Sequence, residues 1–206
     1  MTAVKICGVT SVADALACVD LGADAIGLNF VRGSPREIDV ATARAIVSAL
    51  GGRALAVAVV ADLSPTDATQ LVAETGAGCV QLHGDEPPEV VSALLPHAYK
   101  AVRIGDAADV AALGRFPGAH VLVDAKHGRA LGGTGTTFDW ALVAGVSRTR
   151  KLTLAGGLHP GNVAEAIARV APFCVDVASG VEGTLGPRRK DLARVAAFLA
   201  AVRAPR

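Results

Sequence analysis

Eight short apolar runs alternate with eight longer stretches of helical periodicity along this chain, and no other feature restricts its fold so strongly. The runs fall near residues 3–7, 25–29, 54–60, 79–83, 99–103, 120–124, 151–155 and 174–178. Between and after them the spacing predicts helices near 11–21, 40–49, 66–75, 87–95, 107–113, 138–145, 160–169 and 189–202. Regular alternation of this kind points to parallel strands joined by helical crossovers. Eight such units in 206 residues fit a compact α/β fold with short loops, a single (β/α)8 barrel of the TIM type spanning residues 1–206 as one domain. A doubly wound open sheet is the rival. It rarely needs eight such even units, and no Gly-x-Gly-x-x-Gly follows the first run.

Several element ends carry chemical signals. Ser11 suits the N-cap of the first helix, with Asp14 three residues on. Ser64-Pro65-Thr66 and His159-Pro160 suit the first turns of two later helices. Gly22 and Gly76 suit helix stops.

Composition bounds the chemistry. Hydrophobic residues make up 51% and aromatics only 3%, so the core has to be built from Ala, Val, Leu and Ile. The net charge is +1 with both signs interspersed, which gives no reason to expect nucleic acid or an anionic membrane as partner. The basic cluster Arg188-Arg189-Lys190, with Arg194 and Arg203, reads as a solvated helix face. Cys7, Cys18, Cys79 and Cys174 are widely spaced, so neither a zinc site nor a redox dithiol is expected, and a reducing cytoplasm is the natural compartment. Lys5 and Asp14 interrupt the first apolar residues, so no secretory signal is expected. The longest apolar run, Ala54 to Ala61, falls far short of the ~20 residues that cross a bilayer.

In a barrel, catalytic side chains stand at the carboxyl ends of strands. Lys5-Ile6-Cys7-Gly8 ends the first strand there, and alternation turns Lys5 and Cys7 the same way. Cys7 reads either as a small buried apolar residue or as a proton-transfer base. Asp176 on the eighth strand is expected to form a buried ion pair with Lys5, because an unpaired charge inside a barrel is costly. Asp124 closes the sixth run and precedes a long loop, which makes it either an anchoring carboxylate or the second proton-handling group. That loop holds Gly132-Gly133-Thr134-Gly135, suited to a lid or ligand cradle. Glycine turns at Gly156-Gly157 and Ser179-Gly180 end strands seven and eight, where barrels often bind phosphate through backbone N–H groups. Arg36, stiffened by Pro35, is placed to grip a carboxylate. Gln81 and His83 face inward from strand four, and His83 reads as a hydrogen-bonding wall residue. No second His or carboxylate is spaced with it, so no metal is expected.

Taken in order, these segments resemble the phosphoribosylanthranilate isomerase family of tryptophan biosynthesis over nearly the whole chain. The likeness rests on Lys5-Ile6-Cys7-Gly8, Ser34-Pro35-Arg36, Gln81-Leu82-His83-Gly84-Asp85-Glu86, Gly132-Gly133-Thr134-Gly135 with Phe138-Asp139-Trp140, Leu154-Ala155-Gly156-Gly157-Leu158, Asn162, and Ser179-Gly180-Val181-Glu182 with Lys190-Asp191. The resemblance implies an aldose–ketose isomerase that performs an Amadori rearrangement without a cofactor. By it, Asp124 is the general acid, Cys7 the general base and Arg36 the partner of the anthranilate carboxylate. Gly156, Gly157, Ser179 and Gly180, helped by Gly133, Thr134 and Gly135, hold the phosphate, while His83 and Asp176 complete the substrate-binding set. Members are monomers or homodimers. Departures are Ala178 where a serine is common, the basic segment 183–189, and Val59-Val60-Ala61-Asp62 without the usual Phe and Asn.

Two other readings compete. One is a phosphosugar isomerase of the histidine-pathway type, whose family has aspartates in both catalytic positions where this chain has Cys7 first. The other is a non-catalytic barrel that only binds a phosphorylated ligand.

Overall fold

The computed structural model describes residues 1–126, 138–184 and 186–204. Eight parallel strands close into a barrel in chain order. They are β1 (Ala3–Cys7), β2 (Ala25–Asn29), β3 (Leu55–Val60), β4 (Cys79–Leu82), β5 (Ala98–Ile104), β6 (His120–Ala125), β7 (Lys151–Leu154) and β8 (Cys174–Val177). The described helices are α1 (Val12–Asp20), α2 (Val40–Leu50), α3 (Pro65–Thr75), α4 (Pro88–Leu94), α5 (Ala107–Ala112), α6 (Val163–Val170) and α7 (Leu192–Arg203).

Local chemistry sets the ends. The Ser11 and Ser64 side chains accept from the backbone N–H groups of Asp14 and Asp67, capping α1 and α3. Gly76 closes α3. Two expectations shift. The crossover expected as a helix over 138–145 consists of two 3-10 turns, Trp140–Val143 and Val146–Arg148. Asp139 caps the first, Gly145 separates them, and β7 begins too soon for a longer helix. The next helix starts at Val163 rather than 160, because His159 donates its N–H to the Asn162 side chain and makes a turn of that segment.

Apolar residues sort to the two faces of the strands. Outward residues such as Ile6, Ile26, Leu28, Val121, Leu152 and Val175 pack beneath the helices in the larger core. Inside the barrel a smaller cluster gathers Ala25, Val57, Tyr99, Ala101, Leu122 and Ala155. The scarcity of large aromatics is thereby explained, since small and β-branched side chains let the helices lie close on the sheet.

One charge pair ties the closing seam. Lys5 on β1 is in register with Asp176 on β8, and Lys5 Nζ lies 2.8 Å from Asp176 Oδ2. The expected buried pair is present. Space for the lysine comes from Gly27 on β2, in register with Cys7: a Cβ there would lie 2.7 Å from Cys7 Sγ and 3.1 Å from Lys5 Cε.

Removing one member of such a pair leaves the other charge buried and unpaired. Lys5→Met is therefore expected to cost about 3–5 kcal/mol of unfolding stability, read from urea denaturation, with most of the loss recovered in Lys5→Met/Asp176→Leu. Equal stability of Lys5→Met and wild type would contradict this account.

Candidate active site

The carboxyl ends of the strands surround a cavity of about 420 Å³. Cys7 lines it from β1, His83 from the end of β4, and Asp124 from β6. The loop after β2 contributes Ser34, Pro35 and Arg36, and the loops after β7 and β8 contribute Gly156, Gly157 and Ser179. The sulfur and the carboxyl expected to share one cavity therefore do so.

Cys7 opens onto this space, yet its thiol is held by protein on the remaining sides. Burial pushes its pKa up, the charge of Lys5 opposes that, and Asp176 adds to it. For Lys5 itself burial opposes the charge, but Asp176, with Cys7 and Tyr99 adding, outweighs it and keeps the ammonium well above the usual lysine range. The pair thus does not simply activate the thiol. Its two charges act on Cys7 in opposite directions, and burial favours the protonated sulfur.

Across the mouth, Asp124 is only 5% exposed. Its Oδ1 accepts from the Ala125 N–H at 2.8 Å, and Oδ2 lies 3.3 Å from His83 Nε2. His83 Nδ1 meets Gln81 Nε2 at 2.7 Å. Gln81 Oε1 in turn accepts from Lys5 at 2.9 Å and from the Tyr99 hydroxyl at 3.0 Å. His83 is thus a hydrogen-bonding wall residue.

Arg36 reaches the cavity and is also engaged. Its Nε and Nη2 both donate to the Glu182 carboxylate at 2.7 Å, one to each oxygen. That contact, against burial and with the charge of Glu182, raises the Arg36 pKa. Burial works against the Glu182 charge, but Arg36 and Lys190 outweigh it and hold Glu182 below its ordinary value. Lys190 Nζ is 2.8 Å from Glu182 Oε1 and almost wholly buried. The basic cluster is accordingly not a plain solvated face. Lys190 is an interior partner, Arg188 donates to the carbonyls of Pro35 and Glu37, and Arg194 donates to the carbonyl of Glu182.

The glycine turns meet at the rim between β7 and β8. Ser179–Val181 forms a 3-10 turn directly after β8. Among the described residues the amides of Gly157, Ser179 and Gly180 make no hydrogen bond to protein acceptors. Asn162 Nδ2 donates to the Gly157 carbonyl at 3.0 Å and pins that turn. Gly180 does not line the cavity wall itself. It packs on the Leu158 backbone, where a Cβ would fall 2.0 Å from the carbonyl oxygen, so its role in the rim is to let the two turns approach. Gly133, Thr134 and Gly135 lie outside the described residues. No three His, Cys, Asp or Glu side chains are grouped for a metal among the described residues. No described helix is long and apolar enough to cross a membrane.

Three working parts escaped the sequence. Gln81 was legible as inward-facing, but its hub position was not. Glu182 and Lys190 gave no local signal, because Glu182 meets Arg36 across 146 residues of chain.

A barrel mouth that joins a thiol, a carboxyl, an arginine and paired glycine turns defines the class of barrel enzymes that handle small anionic molecules. Residues 4–201 match the family model described as N-(5'phosphoribosyl)anthranilate (PRA) isomerase, and the chain belongs to that family. An N-(5'-phosphoribosyl)anthranilate isomerase of Geobacter sulfurreducens is 41% identical over 199 residues, covering 97% of each chain. The crystal structure of phosphoribosyl anthranilate isomerase from Thermotoga maritima superposes with a TM-score of 0.89 at 37% identity, covering 98% of this chain and 99% of that one. A phosphoribosyl anthranilate isomerase solved with reduced 1-(o-carboxyphenylamino)-1-deoxyribulose 5-phosphate gives 0.86 at 35% identity, with the same coverage.

The opposed influences on Cys7 make a measurable statement. Alkylation of Cys7 by iodoacetamide, followed by peptide mass spectrometry against pH, is expected to show a midpoint above that of an ordinary thiol. Asp176→Asn is expected to lower that midpoint, since the Asp176 charge is one of the influences raising it. An unchanged midpoint in the variant would remove Asp176 from the explanation.

Proposed function

We propose that this barrel converts N-(5'-phosphoribosyl)anthranilate into 1-(2-carboxyphenylamino)-1-deoxyribulose 5-phosphate, with Asp124 as general acid and Cys7 as general base. The observation that carries the assignment is that these two groups, brought from β6 and β1, line one cavity. The activity is that of an aldose–ketose isomerase in tryptophan biosynthesis, and it needs no external redox partner because the product is an isomer of the substrate.

The chemistry proceeds in three stages. Asp124 gives a proton to the furanose ring oxygen as the bond from that oxygen to C1 breaks. The nitrogen lone pair moves in to form a protonated Schiff base. Cys7, as thiolate, removes the proton from C2, and the electron pair moves toward nitrogen to give the enolamine. Tautomerisation then places a proton on C1 and takes one from the C2 hydroxyl, leaving the ketone. A buried thiol is scarce as thiolate but, once ionised, is the stronger base, and the two effects trade against each other.

Binding follows from the remaining walls. A guanidinium has two bidentate edges, and Glu182 occupies the edge formed by Nε and Nη2. The edge that includes Nη1 is left for the anthranilate carboxylate, with Arg36 already oriented. Asp176 Oδ2 takes Lys5, while its Oδ1 is buried without a hydrogen-bond partner beside the cavity, which suits a substrate hydroxyl. The amides of Gly157, Ser179 and Gly180 suit the phosphate, with Gly156 in the same turn, and the family resemblance adds Gly133, Thr134 and Gly135 to that set. His83 walls the acid side. We read residues 1–206 as one catalytic barrel acting as a monomer or homodimer. The four free thiols support a reducing cytoplasm as its compartment.

Loss of anthranilate-substrate fluorescence tests the assignment. Wild type is expected to turn over, and Cys7→Ser and Asp124→Asn are each expected to lower kcat/KM by a factor on the order of 10²–10⁴. Full activity in both variants, or turnover of the histidine-pathway substrate alone, would overturn it.

A further inference from the structure

A buried polar chain runs beneath the cavity from the base side to the acid side, and its directions can be worked out link by link. Lys5 is held as an ammonium by Asp176 against the opposing effect of burial. An ammonium donates three hydrogen bonds and accepts none. The Gln81 atom 2.9 Å from Lys5 Nζ must therefore be the amide oxygen. Burial raises the Tyr99 pKa well above its ordinary value, so the phenol keeps its proton and donates to that same oxygen at 3.0 Å. With the oxygen fixed on this side, the amide NH2 faces His83 Nδ1 at 2.7 Å. Nδ1 is then the acceptor, and the neutral ring carries its proton on Nε2. Nε2 is buried without a hydrogen-bond partner among the described residues and lies 3.3 Å from Asp124 Oδ2.

We propose that Gln81 and His83 are positioning residues for the general acid. Gln81, oriented by Lys5, locks His83 in its Nε2–H tautomer, and His83 then presents a donor to the carboxylate that Asp124 becomes when it releases its proton. The inference rests on the general-acid reading of Asp124 and names the groups that serve it. The opposite tautomer would aim a lone pair at the same oxygen. The contact is loose, at 3.3 Å. As negative charge grows on Oδ2, the contact strengthens into a charge-assisted N–H···O bond, so it stabilises the departing-proton state more than the starting one. The chain also explains why a lysine that touches neither Asp124 nor the ring is built under the site: it sets the orientation of the amide on which the tautomer depends.

Two measurements test this. Long-range 1H–15N correlation spectra of the 15N-histidine enzyme, with the His83 signals assigned by their loss in His83→Gln, are expected to show the neutral Nε2–H form. In Gln81→Glu the carboxylate oxygen facing Nδ1 is expected to draw a proton there. A wild-type His83 in the Nδ1–H form overturns the proposal whether or not any variant folds. In steady-state kinetics His83→Leu is expected to lower kcat by about 10²-fold with KM nearly unchanged, as loss of one preorganised donor does. His83→Gln, whose amide nitrogen reaches the Nε2 position, is expected to recover much of that loss. Equal losses in both, or a loss confined to KM, count against the proposal. Asp124→Asn in the same assay separates the two layers. Full activity there removes the general-acid reading itself, whereas an inactive Asp124→Asn beside an Nδ1–H His83 removes only this inference.

Discussion

A single ammonium group inside the barrel organises most of what surrounds it. Lys5 stands on the first strand where β1 closes against β8, and its side chain is 2% exposed. Such a charge is tolerated only with strong partners, and it has two: the carboxylate of Asp176 and the amide oxygen of Gln81. Each partner carries the influence further. Asp176 sits under the sulfur of Cys7 and opposes its ionisation, while Lys5 favours it. Gln81 passes an orientation to His83 and so to Asp124. The Cys7 side and the Asp124 side of the cavity are thus linked through one buried pair, although they stand on strands separated by β7 and β8.

Architecture was far more legible in the sequence than the details of the site. The eight apolar runs became eight strands with ends shifted by a residue or so, because strand positions in a closed parallel barrel follow directly from alternation of buried segments. The exception among the crossovers, around Trp140 to Arg148, shows where that logic stops. An Asp cap and an interior glycine give the local chain enough turn chemistry to avoid an α-helix, while Trp140 and Val143 still bury against the barrel. Periodicity reports which residues are buried, and a 3-10 turn can bury the same ones.

At the site, residues whose role follows from strand direction were readable: Lys5, Cys7, Asp124 and Asp176 all face inward near strand ends. Residues whose role depends on a distant partner were not. Glu182 and Lys190 lie close together in the chain, and nothing near them points to Arg36, which comes from the loop after β2. The same holds for Lys100 on β5. It turns outward between the helices, donates to the carbonyls of Leu82, Gly84 and Ala101, and lies 3.0 Å from Glu86. Burial lowers its pKa while Glu86 opposes the shift. Strand direction turned Lys5 into the barrel, but Lys100 lies on the outward face, and only its tertiary contacts bury it.

On the proposed reading, Glu182 and Lys190 shape ligand recognition without touching the ligand, by fixing Arg36. Arg36 and Lys190 supply two positive charges against the one negative charge of Glu182, which leaves a net +1 at this wall of the cavity. Because Glu182 takes the Nε edge of the guanidinium, the arginine cannot swing to seek other anions, and its remaining edge is presented in a fixed direction. The ordering cost for that side chain is met during folding rather than on binding, which favours a planar carboxylate arriving at the right angle. Elsewhere on the cavity wall the glycine turns offer backbone donors and no charged side chain among Gly156, Gly157 and Ser179. A carboxylate and a phosphate on one substrate therefore meet different chemistry, a directional cation and a cradle of neutral amides. On the proposed reading that asymmetry sets which way round the substrate lies, and with it which side meets Cys7 and which meets Asp124.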